Sequence, residues 1–343
     1  MSKPVRISVL GPHPEGPKAH IWIVQPSAAP AITAKVAAMP GRRPRVVVDG
    51  RCDPATLAGD VATVEASRSV GALAVQRALV VGAPVVVTGP CERGAAVVGS
   101  AAWYHAWKLE DDLDRAAGAL VGALALRAAD PSSPPLLEVD DRGGFVVSKA
   151  DRDDVVGRLL LERAAGPSLP ELEVQLHSLY LHAGEEDSVR GWGTTAERSP
   201  NVLPNAEIHF RGGRHQVHSL PPSSHRSVPM ELSESTMPMQ ALAAGPPRSI
   251  QASELAQILA CDHGDHLVLA LWARDAAMWA WLEDWASQER AADWLDHPAH
   301  LVRTTLPNLS AVRFVASGGI RRSQQELVGR ISAESVQIGL DLS

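Results

Sequence analysis

The sequence predicts an α/β fold, and two observations lead to that prediction. Short, continuous apolar runs at 5–10, 20–24, 45–48 and 84–87 are typical of parallel strands buried on both faces. Residues 70–81 carry apolar side chains at helical spacing and stand between two of these runs. Strands and helices that follow one another in this way form a sheet covered by helices. We therefore expect a three-layer α/β domain in the N-terminal part.

Further helices are predicted along the same part of the chain. Asp53 and Pro54 suit an N-cap and a first-turn proline, which predicts a helix that begins at residue 55. Apolar spacing predicts the helices 55–64, 94–107, 113–128 and 151–163. Within the third of these, Gly118 and Gly122 lie on one face among alanines, which indicates close packing in a core.

Antiparallel hairpins and a second domain are predicted next. The hairpin strands are 136–139 with 144–147, and 206–210 before a turn at 211–214. Residues 221–247 are rich in Pro, Ser and Met without a period, which predicts a linker or a long surface loop. After it, strands at 266–272, 301–305, 310–316 and 335–342 and a helix at 278–294 predict an α+β domain of ferredoxin-like character. We place the two domains at 1–245 and 246–343.

Composition and charge exclude several classes of function. The 343 residues are 45% hydrophobic and 21% charged, as in a globular protein with a sizeable core. The net charge of −7 gives no basic surplus for phosphates, so nucleic acid is not an expected partner. No apolar run approaches the ~18 residues of a membrane span, and the N-terminus lacks the apolar core of a signal peptide. Cys52, Cys91 and Cys261 suggest no disulfide framework. We expect a cytoplasmic protein without a membrane partner.

The most distinctive segment for chemistry is a turn of Asp262, His263, Gly264, Asp265 and His266 directly before an apolar strand. Its carboxyls and imidazoles are candidates for general acid/base catalysis. Three interpretations stay open: a solvated turn that caps the strand, a loop that binds an anionic substrate, and a divalent metal site. Ligands so close in sequence need distant partners to complete a metal shell, so we predict no tightly bound metal.

A second candidate site follows the apolar run 84–87. In α/β sheets, ligands bind beyond the carboxyl ends of strands, and a helix N-terminus attracts anions. Thr88, Gly89 and Arg93 occupy such a position and are candidates for holding a carboxylate or a CoA phosphate. An ordinary turn between a strand and a helix is the alternative. Cys91 is a further candidate nucleophile, but no histidine or acid is tied to it by sequence.

Three segments together resemble one protein family. The first begins with Val-Val-Val-Thr-Gly at 85–89, passes through a small-residue helix and reaches Trp107 and the acidic stretch 110–114. The second is Gly-Gly-Phe-Val-Val-Ser-Lys at 143–149. The third is the C-terminal segment, with Ala-Arg-Asp at 273–275 and Leu-Pro-Asn-Leu at 306–309. In their order and spacing these segments resemble the AtuA family, the acyclic terpene utilisation proteins.

The chain departs from the family pattern at several polar positions. A family loop that resembles Gly-Asp-Lys-Gly-Asp is Cys-Asp-His-Gly-Asp at 261–265, so His263 replaces the lysine. Pro90 stands where the family has an arginine after Thr-Gly. A later helix carries Ala123, Leu124 and Leu126 where the family tends to have a histidine and an acid. The N-terminal part is also shorter, so the resemblance is to a short, divergent member with an AtuA-like C-terminal domain.

The resemblance implies an enzyme of branched-chain or terpenoid acyl metabolism, whose substrate is a small acyl compound or its CoA thioester. For the reaction we predict acid/base chemistry of the lyase or hydratase type, and we assign no cofactor. The predicted catalytic residues are Asp262, His263 and Asp265, and the predicted substrate-binding residues are Thr88, Gly89, Arg93, Gly264 and His266. The alternative is a non-catalytic subunit that binds a partner enzyme. We expect a homo-oligomer or a complex with a related subunit.

Overall fold

A computed structural model describes most of the chain: residues 3–10, 18–129, 134–162, 167–169, 171–185, 187–193, 196–197, 205–218, 244–319 and 322–340. The chain divides into two compact units. The first consists of 1–155 and 166–229, and the second of 156–165 and 230–343. The predicted linker at 221–247 lies outside the described residues except for 244–247, which belong to a strand.

Strands and helices alternate in the first half of the first unit, and strands dominate its second half. In chain order, the elements up to residue 217 are β1 Val5–Leu10, β2 Ile21–Val24, α1 Ala29–Ala38, β3 Arg45–Val48, β4 Val61–Ala66, α2 Ala72–Val80, β5 Val85–Thr88, α3 Ala95–Tyr104, α4 Leu113–Ala128, β6 Leu136–Val139, β7 Phe145–Ser148, α5 Arg152–Leu160, β8 Ser168–Leu169, β9 Leu172–Val174, β10 Leu179–Ala183, β11 Ser188–Gly193, β12 Ala196–Glu197, β13 Ala206–Phe210 and β14 Gly213–Val217.

One eleven-stranded sheet runs through this unit in the order β10-β11-β7-β6-β1-β2-β3-β5-β4-β13-β14. Its centre, from β1 to β4, is parallel, and antiparallel strands extend it on both sides. A small sheet of β12, β9 and β8 accompanies it. The parallel centre and the alternation with helices confirm the predicted α/β class, and the two predicted hairpins are β6–β7 and β13–β14.

Helices cover both faces of the parallel centre. Helix α1 packs on the face that presents Val46, Val48, Val85 and Val87. Helices α2, α3 and α4 stand outside that cluster and pack on one another and on the sheet. Because successive strand residues point to opposite faces, the buried side chain of Val47 points toward this second layer of helices. The arrangement has the three layers that the sequence predicts.

The glycines of α4 allow the backbone of this helix to approach a neighbouring turn. A Cβ atom added to Gly118 would lie 1.8 Å from the carbonyl oxygen of Gly143. A Cβ on Gly122 would lie 2.9 Å from Leu137 and 3.1 Å from Phe145. The interpretation of these small residues as core packing is therefore confirmed. Within the described part of the chain, no helix combines the length and apolar character needed to cross a bilayer.

The predicted helix at 55–64 is wrong. Asp53 does cap a turn, since its carboxylate accepts a hydrogen bond from the N–H of Ala55 at 3.0 Å. Only a short 3-10 turn, Pro54–Thr56, follows. Gly59 then takes a positive φ of 95°. The β-branched residues after it join the sheet as β4, because a place beside β5 outweighs the weak local helix preference.

The second unit is built around a four-stranded antiparallel sheet. Its elements after residue 243 are β15 Ala244–Gln251, α6 Ala252–Leu255, β16 Ala256–Asp262, β17 Leu267–Ala273, α7 Trp279–Trp285, α8 Gln288–Trp294, β18 His300–Leu306, β19 Ala311–Ser317, α9 Gln324–Ser332 and β20 Ser335–Leu340. The sheet order is β16-β17-β19-β18, and β15 pairs with β20 in a separate ribbon. Strands β15 and β16 and helix α9 are absent from the sequence prediction.

The topology of this unit departs from the ferredoxin-like order in one place. Strands β17, β18 and β19 stand in the expected order, with β19 between the other two. In the ferredoxin-like order, the last strand of the domain lies at the edge beside β17. Here β16 occupies that edge and forms a hairpin with β17 over seven residue pairs. The closing strand β20 is present, but it pairs with β15. A hairpin partner next in sequence reaches the free edge with less loop entropy than a distant strand.

The predicted helix at 278–294 is two helices. The break is at Ser287, whose hydroxyl accepts a hydrogen bond from the N–H of Arg290 at 3.2 Å and so begins α8 as an N-cap. Trp281 and Trp285 stack at 5.0 Å, and Trp285 and Trp294 lie 5.0 Å apart. Trp285 and Trp294 belong to the apolar core of this unit.

A buried arginine fixes the end of α5 within the second unit. Arg313 lies in the centre of β19 and is only 5% exposed. Its guanidinium donates to the carbonyl oxygens of Leu160 at 2.9 Å and Glu162 at 2.8 Å. The last carbonyls of a helix have no partner inside the helix, so this cation satisfies them and complements the helix dipole. Gly157 packs close to the ring of Trp272 in the same unit.

Candidate functional site

In the first unit, the parallel strands end at one edge of the sheet. Strand β3 ends at Val48 and β5 at Thr88, and the two strands are neighbours. The chain after β3 returns to the α1 layer through Leu57, whereas β5 leads into α3 in the other layer. Neighbouring strands whose connections leave on opposite faces open a crevice at their carboxyl ends, where α/β proteins bind ligands. The predicted loop 88–94 lies at this edge, and we call the space between the two connections the crevice.

Thr88 is held inside the crevice wall. Its side chain is 1% exposed, and its hydroxyl donates to the carbonyl oxygen of Val48 at 3.0 Å. The thiol of Cys91 lies 3.1 Å from the same hydroxyl. These bonds tie the β5 loop to the end of β3. They give Thr88 a positioning role, and its contact with a substrate stays a prediction. Gly89 is half-buried and Arg93 is exposed.

Cys91 is not activated as a nucleophile. Burial, and after it the negative charge of Asp49, raises the pKa of the Cys91 thiol to about 12. The carboxylate of Asp49 also accepts a hydrogen bond from the N–H of Cys91 at 3.3 Å. A reactive cysteine needs a positive neighbour that favours the thiolate, and this one has a negative neighbour. The structure therefore argues against Cys91 as a nucleophile.

A carboxyl group that the sequence analysis missed lies close to the same loops. Glu171 stands at the tip of the β8–β9 hairpin, and its side chain is 3% exposed. Oxygen Oε1 accepts a hydrogen bond from the N–H of Leu73 at 3.0 Å, at the beginning of α2. No described residue bonds to oxygen Oε2. Burial raises the pKa of Glu171 to about 7, against the effect of the surrounding N–H groups.

The loop before α2 and the loop before α3 are joined beside this carboxyl. The N–H of Val70 donates to the carbonyl oxygen of Pro90 at 2.8 Å, and the N–H of Glu92 donates to that of Val70 at 2.9 Å. The hydroxyl of Ser69 donates to the carboxylate of Glu92. The negative charge of Glu92 adds to the rise in the pKa of Glu171. Three carboxyls, those of Asp49, Glu92 and Glu171, thus lie around these loops, and that of Glu171 is able to change its charge near neutral pH.

In the second unit, the predicted polar turn joins β16 to β17. The N–H of His263 donates to the carbonyl oxygen of His266 at 2.9 Å, and Gly264 takes a φ of 88° at the tip. The carboxylate of Asp262 accepts from the N–H of Gly264 at 2.7 Å. His263 bonds through Nε2 to the carbonyl oxygen of Leu161 at 3.0 Å. The turn is thus a capped hairpin, and its Asp262 and His263 each have a structural bond.

Asp265 and His266 form a pair in this turn. Oxygen Oδ1 of Asp265 lies 2.8 Å from Nδ1 of His266. The Asp265 side chain is 59% exposed, whereas that of His266 is 14% exposed. The His266 ring also stacks on His263 at 5.1 Å. The carboxylate is therefore accessible, and the imidazole behind it is fixed in position, which is the relation between a proton-transferring group and the group that orients it.

The turn opens into a cavity of about 540 Å³. Asp262, Gly264, Asp265 and His266 line it from the hairpin, and the opposite wall comes from the end of β19 and the start of α9, with Ser317, Gly318, Arg322 and Ser323. The guanidinium of Arg322 is held by Asp296 at 2.6 Å and by the carbonyl oxygen of Trp294 at 2.9 Å.

The structure thus brings four of the predicted site residues together at this cavity: Asp262, Gly264, Asp265 and His266. His263 does not line this cavity, and Thr88, Gly89 and Arg93 belong to the first unit.

The described residues contain few groupings of metal-ligating side chains. Across the described ranges, His, Cys, Asp and Glu side chains nowhere gather in groups of three or more that suit a metal ion. Smaller contacts do occur: Asp265 pairs with His266, and Asp293 pairs with His297. The predicted absence of a bound metal stays a prediction for elemental analysis.

Sequence reasoning missed Glu171 because its local pattern is that of an exposed turn. A glutamate between short strands normally points into water. Only the three-dimensional contact with the N-terminus of α2 shows that this side chain is buried. No local sequence signal reports a contact over 98 residues of chain.

One comparison with known proteins finds a family model that matches part of the chain. Residues 50–213 match the family model described as acyclic terpene utilisation family protein AtuA. The match contains the crevice loops and Glu171, and it confirms the resemblance of the segments at 85–114 and 143–149. The C-terminal segment lies outside the matched residues, so its resemblance stays a prediction. No curated protein and no solved structure is significantly similar to the chain.

Proposed function

We propose that this chain, which is AtuA-like over residues 50–213, is an enzyme that acts on a branched-chain or terpenoid acyl compound, as the free acid or the CoA thioester. The family description connects such proteins with the use of acyclic terpenes. The reaction that fits the polar groups is acid/base chemistry of the lyase or hydratase type. The observation that carries this choice is the Asp265–His266 pair at the wall of a cavity large enough for a small molecule.

Hydration of an activated double bond needs one group that takes a proton from water and one that supplies a proton to carbon. The water oxygen bonds to the β-carbon while its proton passes to a base, and the α-carbon then receives a proton from an acid. Asp265 faces the cavity and is the candidate base, and His266 orients it and shares the proton. Asp262 and His263 stay proposed catalytic residues, and Gly264 stays proposed for substrate binding.

The crevice of the first unit supplies a second acid/base candidate in the same chain. The carboxyl of Glu171 has a pKa of about 7, so that at neutral pH it is present in both charge states. Gly89 and Arg93 are proposed to hold the anionic end of a substrate beside it. A substrate reaches Glu171 only by displacing the side chains that bury it, because the residue is 3% exposed.

The experiment is a hydration assay with branched-chain and terpenoid enoyl thioesters, in which the absorbance of the enoyl group falls. We expect Asp265→Asn to abolish activity while the melting temperature stays nearly unchanged, because asparagine keeps the shape and loses the charge. Asp293→Asn is the matched control. Asp293 also pairs with a histidine, His297 at 3.3 Å, but it lies on an exposed helix and does not line the cavity.

The two candidate sites are separated by a second pair of variants. Glu171→Gln removes the charge change at the crevice, and Glu173→Gln is its control on the same hairpin. Loss of activity in Glu171→Gln with activity kept in Asp265→Asn moves the chemistry to the first unit. Full activity in both variants contradicts the proposed acid/base sites.

A non-catalytic subunit is the second candidate function. The observation in its favour is that the polar groups of the 88–91 loop bond to each other and to β3, and that the Cys91 thiol is inert. As a subunit, the chain would form a complex with a longer AtuA-like protein. Co-expression with such a protein tests this: activity that appears only in the complex and survives Asp265→Asn and Glu171→Gln in this chain supports the subunit, and activity of the isolated chain excludes it.

A further inference from the structure

A second cavity of the first unit lies at the opposite edge of the sheet from the crevice. Its volume is about 530 Å³, and it opens where the parallel strands begin. Ala19 and His20 precede β2, Pro44 and Arg45 stand at the start of β3, and Pro84 precedes β5. The end of α1 and the end of α3, with Trp103 and Tyr104, complete the wall. No prediction from the sequence and no part of the proposed function uses this cavity.

The cavity is basic in a chain that is acidic overall. Three arginines line it, Arg42, Arg43 and Arg45, and no aspartate or glutamate is among its described lining residues. Two carboxylates that follow or pair with residues near the wall are engaged elsewhere: Glu138 pairs with Arg6 at 2.7 Å, and Asp60, next to Gly59, pairs with Arg211. For a chain with a net charge of −7, this is a local concentration of positive charge that no carboxylate of the wall offsets.

Two of the arginines are held by the fold in a way that leaves nitrogen atoms for a ligand. Arg45 donates through Nη1 to the carbonyl oxygen of Gly82 at 2.7 Å, and its guanidinium lies over the ring of Trp103 at 5.6 Å. Arg43 donates through Nε to the carbonyl oxygen of Met39 at 3.0 Å, at the end of α1. The two guanidiniums are thus oriented before any ligand arrives, which lowers the entropy cost of binding.

The rest of the wall is apolar and aromatic. Val36 and Ala37 come from α1, Pro84 and Val85 from the start of β5, and Trp103 from α3. His20 stays neutral more readily than usual, because burial and then the charge of Arg42 lower its pKa. Its ring lies 4.8 Å from that of Tyr104. A ligand here meets both cations and uncharged surface.

We propose that this cavity binds a small organic phosphate, with the phosphate on Arg43, which the fold orients, and on Arg42 beside it, and with the uncharged body against Val36, Pro84 and Trp103. Arginine suits phosphate because its planar group donates two parallel hydrogen bonds to two oxygens. The volume lies in the range of small-molecule sites. The apolar part of the wall distinguishes such a ligand from a bare inorganic ion.

The test uses phenyl phosphate as the probe, with inorganic phosphate and phenol as its two fragments, in calorimetric titrations of the full chain. We expect phenyl phosphate to bind more tightly than either fragment. Arg42→Ala is expected to weaken its binding by about tenfold or more, as for loss of a charged hydrogen bond. Arg214→Ala is the matched control, since Arg214 is an exposed arginine of the same unit, 75% accessible, that does not line the cavity. Trp103→Leu is expected to weaken phenyl phosphate and to leave inorganic phosphate unchanged.

Three results would overturn the proposal. One is the absence of detectable binding of phenyl phosphate at millimolar concentration. The second is equal weakening by Arg42→Ala and Arg214→Ala, which would mean a diffuse electrostatic effect. The third is inorganic phosphate binding as tightly as phenyl phosphate, which would show that the uncharged wall takes no part. Melting curves of each variant in the absence of ligand show whether a loss of binding is a loss of fold.

Discussion

The buried carboxyl of Glu171 makes the stability of the first unit depend on pH in a predictable direction. Burial raises the pKa of this group from 4.5 to about 7. The folded protein therefore holds a proton there at pH values where the unfolded chain has lost it. The stabilisation that follows is complete below the unfolded pKa and is lost as the pH rises through the folded one. The variant Glu171→Gln keeps the shape of the protonated form and cannot ionise, so it removes this dependence.

The size of the effect follows from the shift. One pKa unit corresponds to about 1.4 kcal/mol, so the rise at Glu171 corresponds to about 3 kcal/mol in the free energy of unfolding. Between the two pKa values the stability of the parent protein falls by about 1.4 kcal/mol per pH unit from this group alone. The stability difference between Glu171→Gln and the parent should therefore grow by about 3 kcal/mol in favour of the variant as the pH rises past about 7.

Amide hydrogen exchange of the peptide that covers α2 measures this stability difference at the helix that Glu171 contacts. The N–H of Leu73 is bonded to Glu171, and exchange at this helix does not require that both units unfold in one step. Parent, Glu171→Gln and the control Glu173→Gln are compared from about pH 5 to about pH 9, after correction for intrinsic exchange rates. Parallel stability curves for the parent and Glu171→Gln would refute the reasoning, because the carboxyl would then titrate as an exposed group does.

The remaining predictions concern a thiol and two glycines. Cys91 should resist alkylation at mildly alkaline pH until the protein is unfolded, because its thiol has a pKa of about 12; mass spectrometry of the alkylated peptides measures this. Gly118→Ala should destabilise the first unit by about 3 kcal/mol or more, because the new Cβ meets the backbone of Gly143, which has no flexible end to move aside. Gly329→Ala, in α9, should stabilise the second unit by about 0.5–1 kcal/mol, since a Cβ there meets no atom within 4 Å; melting curves measure both glycine changes.

Each of these has an outcome that contradicts it. Rapid alkylation of Cys91 in the folded protein would mean that the thiol is neither buried nor opposed by Asp49, and Asp49→Asn should speed its labelling. A Gly118→Ala protein as stable as the parent would show that α4 and the turn at Gly143 are able to separate. If Gly329→Ala lowered the melting temperature as much as Gly118→Ala, the space around a helical glycine would not determine the effect of the substitution.

The strands of the parallel centre could be predicted from the sequence because a strand buried on both faces is a continuous apolar run. Valines dominate 45–48 and 85–88, and the run 21–24 is likewise apolar throughout. The helices α2, α3 and α4 could also be predicted, because their runs of small and apolar residues are too long for a strand. The segment 61–66 was not, because it alternates weakly and follows a genuine N-cap at Asp53. Its strand character comes from its neighbours in the sheet.

For the candidate sites, too, local features could be predicted from the sequence, and contacts between distant residues could not. The polar turn 262–266 could be found from the sequence, because its composition is unusual and it is local. The partners that turn it into a cavity come from β19 and α9, 50 or more residues later, and no spacing rule connects them. The buried carboxyl of Glu171 and the basic cavity likewise depend on residues that are far apart in the sequence. Their chemistry depends on which residues the fold brings together, and each residue taken alone is ordinary.

The second unit cannot be moved to another protein as one continuous piece. Arg313 inside its sheet depends on carbonyl groups that lie 153 and 151 residues earlier in the chain. A gene segment that encoded only residues 246–343 would deliver a buried guanidinium without its acceptors, and a Trp272 face without the Gly157 backbone that covers it. A transplant of this unit therefore has to carry the short stretch around 156–162 with it, because two backbone carbonyls there accept the hydrogen bonds of a single buried arginine.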